Sequence, residues 1–278
     1  MNRERLLMRL ARVPGSMYIW KKFPIGSIPI RVRFGLWDRP EYAYGLFRAA
    51  ELAAQLGVPG ISAIEFGVAG GNGLLAMESI ASEVSRHFDL SISVYGFDTG
   101  VGLPPPEDYR DLPHVWGGGF YQMDVPALKA QLKHAKLILG NVRDTVQTFV
   151  ADTERFPVGF VAFDLDFYSS TRDALQVFTG DTATTLPRVY CYFDDICHPE
   201  FACHNEFVGE LRAIREFNEQ DEWRKVVPPH LLRNTQPRHE KWQDQIYVFH
   251  NFQHPLYGVN IAPGGNRWGS LPLRKRSG

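Results

Sequence analysis

Short apolar runs alternate along this chain with longer segments in which apolar residues recur every three or four positions. The short runs are typical of buried strands and lie at 61–66, 91–97, 136–140, 158–166 and 188–195. The helical spacing is found at 41–57, 74–88, 142–156, 169–178 and 204–220. Two further strands are predicted at 223–229 and 244–252.

Strands that alternate with helices of this length predict parallel βαβ units joined by right-handed crossovers. The predicted fold class is therefore α/β, a doubly wound Rossmann-like sheet that is mostly parallel and has helices on both faces. We expect one domain over residues 41–255. It is preceded by a basic N-terminal arm or helical extension at 1–40 and followed by a basic C-terminal tail at 256–278.

The composition is that of a globular protein. Of the 278 residues, 44% are hydrophobic and 22% are charged, which excludes a disordered chain. No segment approaches the roughly 18 consecutive apolar residues of a membrane-spanning helix, so no stable membrane insertion is expected. The odd number of cysteines predicts no disulfide framework and a reducing, cytoplasmic location; they are Cys191, Cys197 and Cys203.

The charge is unevenly distributed, with basic ends and an acidic middle. Residues 1–33 hold eight basic residues and one acid, although the whole chain has a formal net charge of −1. An acidic body disfavours nucleic acid as the partner. We expect a homo-oligomer, in which the amphipathic segment 1–15 packs on the body or on a neighbouring subunit. Contact of this segment with a membrane surface is the alternative.

A glycine-rich stretch follows the first strand directly, from Gly67 to Gly73. Glycines at this place let the backbone approach a ligand and turn sharply into a helix. Gly71-x-Gly73-x-x-Ala76 matches a dinucleotide-binding pattern, but it begins five residues after the strand, whereas a pyrophosphate site needs its first glycine at the strand end. Glu65, two positions before Gly67, favours a cationic sulfonium cofactor instead. A tight turn without a ligand is the alternative.

Asp98 ends the second strand, 31 residues after Gly67. A carboxylate at this place accepts hydrogen bonds from two ribose hydroxyls, which both NAD and S-adenosylmethionine (SAM) carry. Asp98 therefore indicates a nucleoside-containing ligand without separating the two. An ordinary turn residue is the alternative.

Aspartates stand at the ends of the fourth and fifth strands, as Asp164-Leu165-Asp166 and Asp194-Asp195. Neighbouring strand ends lie about 5 Å apart, so the four carboxylates are expected to crowd one edge of the cleft. Carboxylates at that range raise one another's pKa, and a bound divalent cation offsets the repulsion between them. All-oxygen ligands select Mg²⁺, Mn²⁺ or Ca²⁺. Alternatively, these acids cap helices or pair with the cations Arg143, Arg172 and Lys225.

This ordered set of motifs resembles the macrocin O-methyltransferase family, SAM-dependent enzymes that methylate sugar hydroxyls in antibiotic biosynthesis. The matching segments cover roughly residues 60–220 and are E-x-G-x-x-G-G at 65–71, Y-G-F-D at 95–98 leading to G-L-P at 102–104, Gly140 with Asp144-Thr145, D-x-D-x-Y-x-S-T at 164–171, and Asp194-Asp195. The resemblance implies the class I SAM methyltransferase fold, whose last strand is antiparallel.

The resemblance also implies roles for single residues. It assigns SAM contacts to Glu65, Gly67, Val68, Gly70, Gly71, Asp98, Thr99, Gly140, Asn141 and Asp164. It assigns a Mg²⁺ ion, or another divalent cation, to Asp164, Asp194 and Asp195, an arrangement also similar to catechol O-methyltransferase. Asp166 is implied as the general base that takes a proton from a hydroxylated small-molecule acceptor, and His114 or His198 is the alternative base.

Two other classes of function stay open. Asp164-x-Asp166 also resembles the DxD motif of metal-dependent glycosyltransferases, which bind a nucleotide sugar. A methyltransferase-like scaffold without activity is the non-catalytic interpretation.

Two loops carry further candidate features. Cys197-His198 and Cys203-His204 suggest zinc, but their spacing fits a zinc site poorly. The preferred interpretation is that they are polar residues of a loop at the rim of the pocket. The segment 99–124 carries aromatic residues among glycines and is predicted to be a mobile lid over the acceptor, or else an ordinary surface loop.

Overall fold

The computed structural model describes residues 15–262 of the chain. Its strands are β1 (Gly60–Phe66), β2 (Ser91–Asp98), β3 (Lys136–Leu139), β4 (Val158–Phe163), β5 (Thr185–Phe193), β6 (Arg224–Val227) and β7 (Ile246–Asn251). The helices of the described residues are α1 (Ser16–Lys22), α2 (Ile28–Arg33), α3 (Pro40–Leu56), α4 (Asn72–Phe88), α5 (Val125–Gln131), α6 (Val142–Ala151), α7 (Tyr168–Ala174), α8 (Gly209–Gln220) and α9 (Leu232–Thr235).

The seven strands form one sheet in the spatial order β3-β2-β1-β4-β5-β7-β6. The strands β1 to β5 are parallel, and β7 lies antiparallel between β5 and β6. The prediction of a doubly wound, mostly parallel sheet with an antiparallel last strand is confirmed. The strand order reverses between β1 and β4. In such sheets a ligand binds outside the carboxyl ends of the strands at this switch point.

The core lies against the two central strands. Both β1 and β4 are buried along their whole length, as expected of strands covered on both faces. Gly45 of α3 meets the ring of Phe160, where an added Cβ atom would lie 2.2 Å from a ring carbon. This close approach seats α3 directly on β4. It also brings Tyr42, one turn earlier, to the carboxyl end of β1.

Several predicted boundaries differ from the observed ones. The strand predicted at 158–166 ends at Phe163, and a strand could not include Asp166, whose backbone is left-handed with φ +59°. The strand predicted at 188–195 instead spans Thr185–Phe193. The helix predicted from residue 204 begins only at Gly209, which has φ +58°.

Residues 16–33 form the short helices α1 and α2, and the apolar side chains around them pack in a small cluster: Met17, Trp20, Ile30, Phe34 and Leu36. An ion pair between Arg31 and Glu83, with an N···O distance of 2.6 Å, ties α2 to α4. The amphipathic helix predicted for 1–15 and most of the tail at 256–278 fall outside the described residues. Within 15–262, no helix has the length and apolar character needed to cross a membrane.

Candidate active site

Four residues continue the parallel ladder one step beyond the strand ends. Gly67, Gly140, Asp164 and Asp194 each donate the backbone N–H to a carbonyl at the end of a neighbouring strand, with N···O distances of 2.9 to 3.0 Å. The ladder therefore sets these four residues side by side along the carboxyl edge of the sheet, across the point where the strand order reverses.

Gly67 has a conformation and surroundings that only glycine tolerates. Its φ is +85°, and an added Cβ atom would lie 1.7 Å from the carbonyl oxygen of Asp164. Gly71, just before α4, has φ +87°, and a Cβ atom there would lie 2.3 Å from the side chain of Leu128. The two glycines therefore keep the β1–α4 turn close to the end of β4 on one side and to α5 on the other.

The Asp98 carboxylate is organised by the same turn. Its Oδ2 accepts hydrogen bonds from the backbone N–H groups of Val68 (3.0 Å) and Ala69 (2.9 Å), and its Oδ1 accepts one from Gly100 (2.6 Å). A carboxylate has about four acceptor sites in all. Asp98 can therefore still accept a hydrogen bond from a ligand hydroxyl.

Glu65 lies beneath the glycine turn. The residue is 1% exposed, and its Oε1 accepts a hydrogen bond from the Tyr42 hydroxyl at 2.6 Å. Its Oε2 is buried and has no hydrogen-bond partner among residues 15–262. Burial raises the pKa of Glu65 to about 8 from an ordinary value of 4.5, despite the opposing effect of the Tyr42 hydrogen bond. A cationic ligand bound nearby would stabilise the ionised form of this acid.

Replacing Glu65 by Gln is expected to stabilise the ligand-free protein at pH 8 and to change its stability little at pH 5. Because the pKa in the folded state is raised, the stability that Glu65 contributes is complete below pH 4.5 and declines towards pH 8, by about 1.4 kcal/mol per pH unit. Gln keeps an acceptor for Tyr42 and does not titrate. Urea unfolding at both pH values measures the difference, with the exposed Glu154→Gln as the control. An equal increase in the free energy of unfolding at both pH values would show that the titration of Glu65 is not the cause.

Three aspartates converge at the ends of β4 and β5. Asp164, Asp194 and Asp195 each bring one carboxylate oxygen into a group whose members lie within 4.8 Å of one another. The Tyr192 hydroxyl donates a hydrogen bond to Oδ1 of Asp194. Three hard oxygen donors at this range suit a divalent cation such as Mg²⁺ or Mn²⁺.

Arg143, Arg172 and Lys225, the cations considered as alternative partners of these acids, have other partners. Arg143 and Arg172 both pair with Asp173, at N···O distances of 3.0 Å and 2.9 Å. The Lys225 ammonium donates to the backbone carbonyl of Asn218.

The crowding of the carboxyl groups changes their acidity. Burial, followed by the charges of Asp194 and Asp166, raises the pKa of Asp164 to about 8. Burial and the charge of Asp194 raise the pKa of Asp166 to about 7. Burial and the charge of Asp166 also raise the pKa of Asp195. A bound divalent cation would favour the ionised forms and relieve this repulsion, so the donor set fits such an ion.

Asp166 occupies a turn that its neighbour holds in place. A φ of +59° is uncommon for a residue other than glycine. Its backbone N–H donates to Oδ2 of Asp195 at 3.0 Å. The residue proposed as a metal ligand therefore also supports the backbone of the residue proposed as the base.

A cavity of about 390 Å³ lies over this edge of the sheet. Nine of the residues predicted for cofactor, metal or proton transfer line it: Gly67, Asp98, Thr99, Gly140, Asn141, Asp164, Asp166, Asp194 and Asp195. Four others are within or just before the glycine turn and do not line it: Glu65, Val68, Gly70 and Gly71. Of the alternative bases, His198 lines the cavity, whereas His114 is exposed outside it.

The cysteine–histidine pairs do not form a metal site within residues 15–262. Cys197 and Cys203 are exposed. The ring of His204 instead places Nε2 3.1 Å from the carbonyl oxygen of His198. The zinc interpretation has no support in this part of the chain.

The segment 99–124 is anchored at Asp111, whose side chain is fully buried. Its carboxylate accepts hydrogen bonds from the backbone N–H and the hydroxyl of Ser169, at 2.8 Å and 2.9 Å, and from the N–H of Glu107 at 2.7 Å. Ser169 lies three residues after Asp166 in the sequence. The anchor therefore joins the loop to the turn that carries the candidate base.

Replacing Asp111 by Ala is expected to lower the free energy of unfolding by about 3 kcal/mol, because three donors would lose their buried acceptor. Urea unfolding measures the loss, and limited proteolysis should show faster cleavage within 99–124. Asp108→Ala, at a half-buried position of the same segment whose carboxylate pairs with Arg110, is the control and should lose less than about 1 kcal/mol. Equal losses in the two variants would show that Asp111 is not the anchor.

Besides Tyr192, two residues that contact the aspartates were missed by reasoning from the sequence. Oε2 of Glu210 accepts the Asp195 N–H at 3.0 Å, and Nε2 of Gln245 donates to the Asp194 carbonyl at 2.7 Å. A signal existed for Glu210, because this acid occupies a position of the apolar stripe of α8. Gln245 carries no such signal.

The sheet order, the antiparallel last strand and the cavity above the glycine turn define the fold of class I SAM-dependent methyltransferases. Among solved structures, this chain is similar to CalS11, a calicheamicin methyltransferase, with a TM-score of 0.51 and 22% identity over 89% of this chain and 90% of CalS11. It is also similar to the O-methyltransferase NovP, with a TM-score of 0.50 and 16% identity over 75% of this chain and 78% of NovP. No family model and no curated protein matches the sequence significantly. The likeness establishes the fold, and the resemblance to the macrocin O-methyltransferases stays a prediction.

Proposed function

We propose that this protein is a SAM-dependent O-methyltransferase that uses a divalent cation, such as Mg²⁺, to methylate a hydroxyl group of a sugar or another natural-product small molecule. One observation carries the proposal. A single cavity at the switch point of the sheet joins the glycine turn and Asp98 on one side to Asp164, Asp194 and Asp195 on the other. A nucleoside-containing methyl donor and a metal-bound hydroxyl need these two sets of residues next to each other.

The methyl donor would lie against the ends of β1, β2 and β3. Asp98 accepts a hydrogen bond from a ribose hydroxyl, and Gly67 lets the donor approach the backbone. Gly140 and Asn141 extend this wall of the cavity after β3. The buried acid Glu65 favours a ligand with a positive charge.

The acceptor hydroxyl would be activated at the ends of β4 and β5. Asp164, Asp194 and Asp195 would hold the divalent cation, which when bound lowers the pKa of a coordinated hydroxyl and orients it. Asp166 accepts the hydroxyl proton as the oxygen forms its bond to the methyl carbon. The carbon–sulfur bond of the donor breaks in the same step, so S-adenosylhomocysteine leaves as a neutral thioether.

An apolar wall faces the same cavity and supports a small-molecule acceptor. It is formed by Leu103, Pro104, Trp116, Tyr121 and Pro199. The rings of Trp116 and Tyr121 lie 6.2 Å apart between centroids. Aromatic and proline faces of this kind can stack on the C–H face of a sugar ring while its hydroxyls remain free to reach the carboxylates.

Calorimetric titration with SAM, a UDP-sugar and NADH, each with and without Mg²⁺, tests the proposal. We expect SAM to bind and the other two ligands not to bind. A screen of hydroxylated acceptors with labelled SAM then identifies the substrate. Binding of the UDP-sugar alone would favour the glycosyltransferase suggested by Asp164-x-Asp166, and binding of NADH alone would make the glycine turn a dinucleotide site. No binding of any of the three would favour a scaffold without activity.

A further inference from the structure

Glu210 is a buried acid to which the proposed reaction assigns no role. It is the second residue of α8 and is 0% exposed. Its Oε2 accepts the backbone N–H of Asp195 at 3.0 Å, and its Oε1 is buried with no hydrogen-bond partner in the part of the chain that the structure describes. An apolar side chain of similar volume could fill this place without the desolvation of a carboxyl group. The hydrogen bond to Asp195 is therefore the property that distinguishes Glu210 from a packing residue.

The hydrogen bond between Glu210 and the Asp195 N–H is one of two side-chain hydrogen bonds to a single peptide group. We call these two hydrogen bonds the clamp. The peptide between Asp194 and Asp195 lies just beyond the last residue of β5. Its carbonyl accepts a hydrogen bond from Nε2 of Gln245 at 2.7 Å, and its N–H donates to Glu210. Two side chains from different parts of the chain, one in α8 and one just before β7, thus hold both polar edges of this peptide. Fixing the peptide plane fixes the positions of the two Cα atoms from which the aspartate side chains extend.

The clamp extends to the candidate base through Asp195. Oδ2 of Asp195 accepts the backbone N–H of Asp166 at 3.0 Å, in the left-handed turn after β4. Glu210, Asp195 and Asp166 therefore form a continuous chain of hydrogen bonds from α8 to the wall of the cavity.

We propose that Glu210 is a positioning residue, which orients the Asp194–Asp195 pair for a divalent cation and, through Asp195, supports the turn that carries Asp166. This inference rests on the proposed function, because it takes these aspartates as metal ligands. Partners that orient metal ligands from outside the coordination sphere typically contribute 10- to 100-fold to metal affinity.

Two variants of the full chain, Glu210→Met and Glu210→Gln, test the inference. Met has a similar volume and removes the acceptor, whereas Gln removes the charge and keeps an oxygen acceptor for the Asp195 N–H. Mn²⁺ binding is measured by the loss of the electron paramagnetic resonance signal of the free ion, and SAM binding is measured by calorimetry on the same samples. Glu219→Met, at an exposed position of the same helix, is the matched control.

We expect Glu210→Met to weaken Mn²⁺ binding at least about tenfold. Glu210→Gln and Glu219→Met should bind Mn²⁺ within about threefold of the wild type, and SAM affinity should be the same in all of them. Mn²⁺ binding by Glu210→Met at wild-type strength would overturn the inference. Equal weakening in the Met and Gln variants would also overturn it, because the effect would then belong to the charge and not to the hydrogen bond.

Two further results complete the test. If Glu210→Met does not fold, Gln245→Met, which releases the other edge of the same peptide, is expected to weaken Mn²⁺ binding by a similar factor, and unchanged binding would overturn the clamp. A wild-type protein that binds SAM but no Mn²⁺ would contradict the metal part of the proposed function, and this inference with it. Failure of the proposed function can be distinguished from failure of the inference about Glu210, because it is seen in the wild-type protein before any substitution is made.

Discussion

An Asp166→Asn protein is expected to bind SAM and a divalent cation as the wild type does and to have lost methyl transfer. Asn has nearly the same shape as Asp and tolerates the left-handed conformation, and its backbone N–H can still donate to Asp195. What Asn lacks is an oxygen that can take a proton. A positioned general base contributes about 10²- to 10⁴-fold to a reaction rate, so we expect kcat to fall by a factor in that range.

Transfer of a labelled methyl group from SAM to the acceptor found in the screen measures this loss. Calorimetry with SAM and Mn²⁺ on the same protein separates a lost base from a collapsed site. His198→Asn is the matched comparison, because His198 lines the same cavity and is the other candidate base. Turnover that persists in Asp166→Asn and disappears in His198→Asn would reassign the base to His198.

Replacing Gly67 by Ala is expected to abolish SAM binding and to lower the free energy of unfolding by at least about 4 kcal/mol. The new Cβ atom would lie 1.7 Å from the carbonyl oxygen of Asp164, and the backbone there has φ +85°. The contact cannot be relieved by a side-chain rotation, because the opposing atom is backbone and the N–H of Asp164 continues the ladder beside β1. The turn or the end of β4 must therefore shift, and both line the proposed SAM site.

Gly70→Ala is the control for this substitution. It adds the same methyl group to the same turn, but the added Cβ atom meets no atom of the described residues within 4 Å. The free energy of unfolding of Gly70→Ala should stay within about 0.5 kcal/mol of the wild type. Urea unfolding compares the two variants. If they are equally stable, the turn at Gly67 is free to move, and the close contact with Asp164 is not a constraint on the site.

The position of the candidate site could be predicted from the sequence because each strand end is marked locally. Gly67, Asp98, Asp164 and Asp194 each follow or end an apolar run, where a buried strand meets a polar or glycine residue. A parallel sheet brings all such ends to one edge. The alternation of strands and helices therefore predicts both the fold and the place of the candidate site.

Contacts between distant segments could not be predicted in this way. Asp111 and Ser169 are 58 residues apart, and Glu210 and Asp195 are 15 apart, with no periodic pattern that relates either pair. The left-handed turn at Asp166 was missed for the same reason. Its stabilising partner, the Asp195 side chain, follows the next strand of the sheet.

The backbone hydrogen bonds just beyond the strand ends hold one group of cavity residues, and a loop supplies another. Gly67, Gly140, Asp164 and Asp194 are held in register by the sheet, whereas the apolar wall comes largely from the segment after β2 and is attached near its midpoint by Asp111. Under the proposed function, replacing the segment between Asp111 and α5 would change which acceptor molecule binds. It would leave the residues that bind SAM and the divalent cation in place. An inserted residue in β1 or β4 would instead shift Gly67 or Asp164 relative to the neighbouring strand ends. Loop grafting is therefore the natural engineering route to new methylated products from this scaffold.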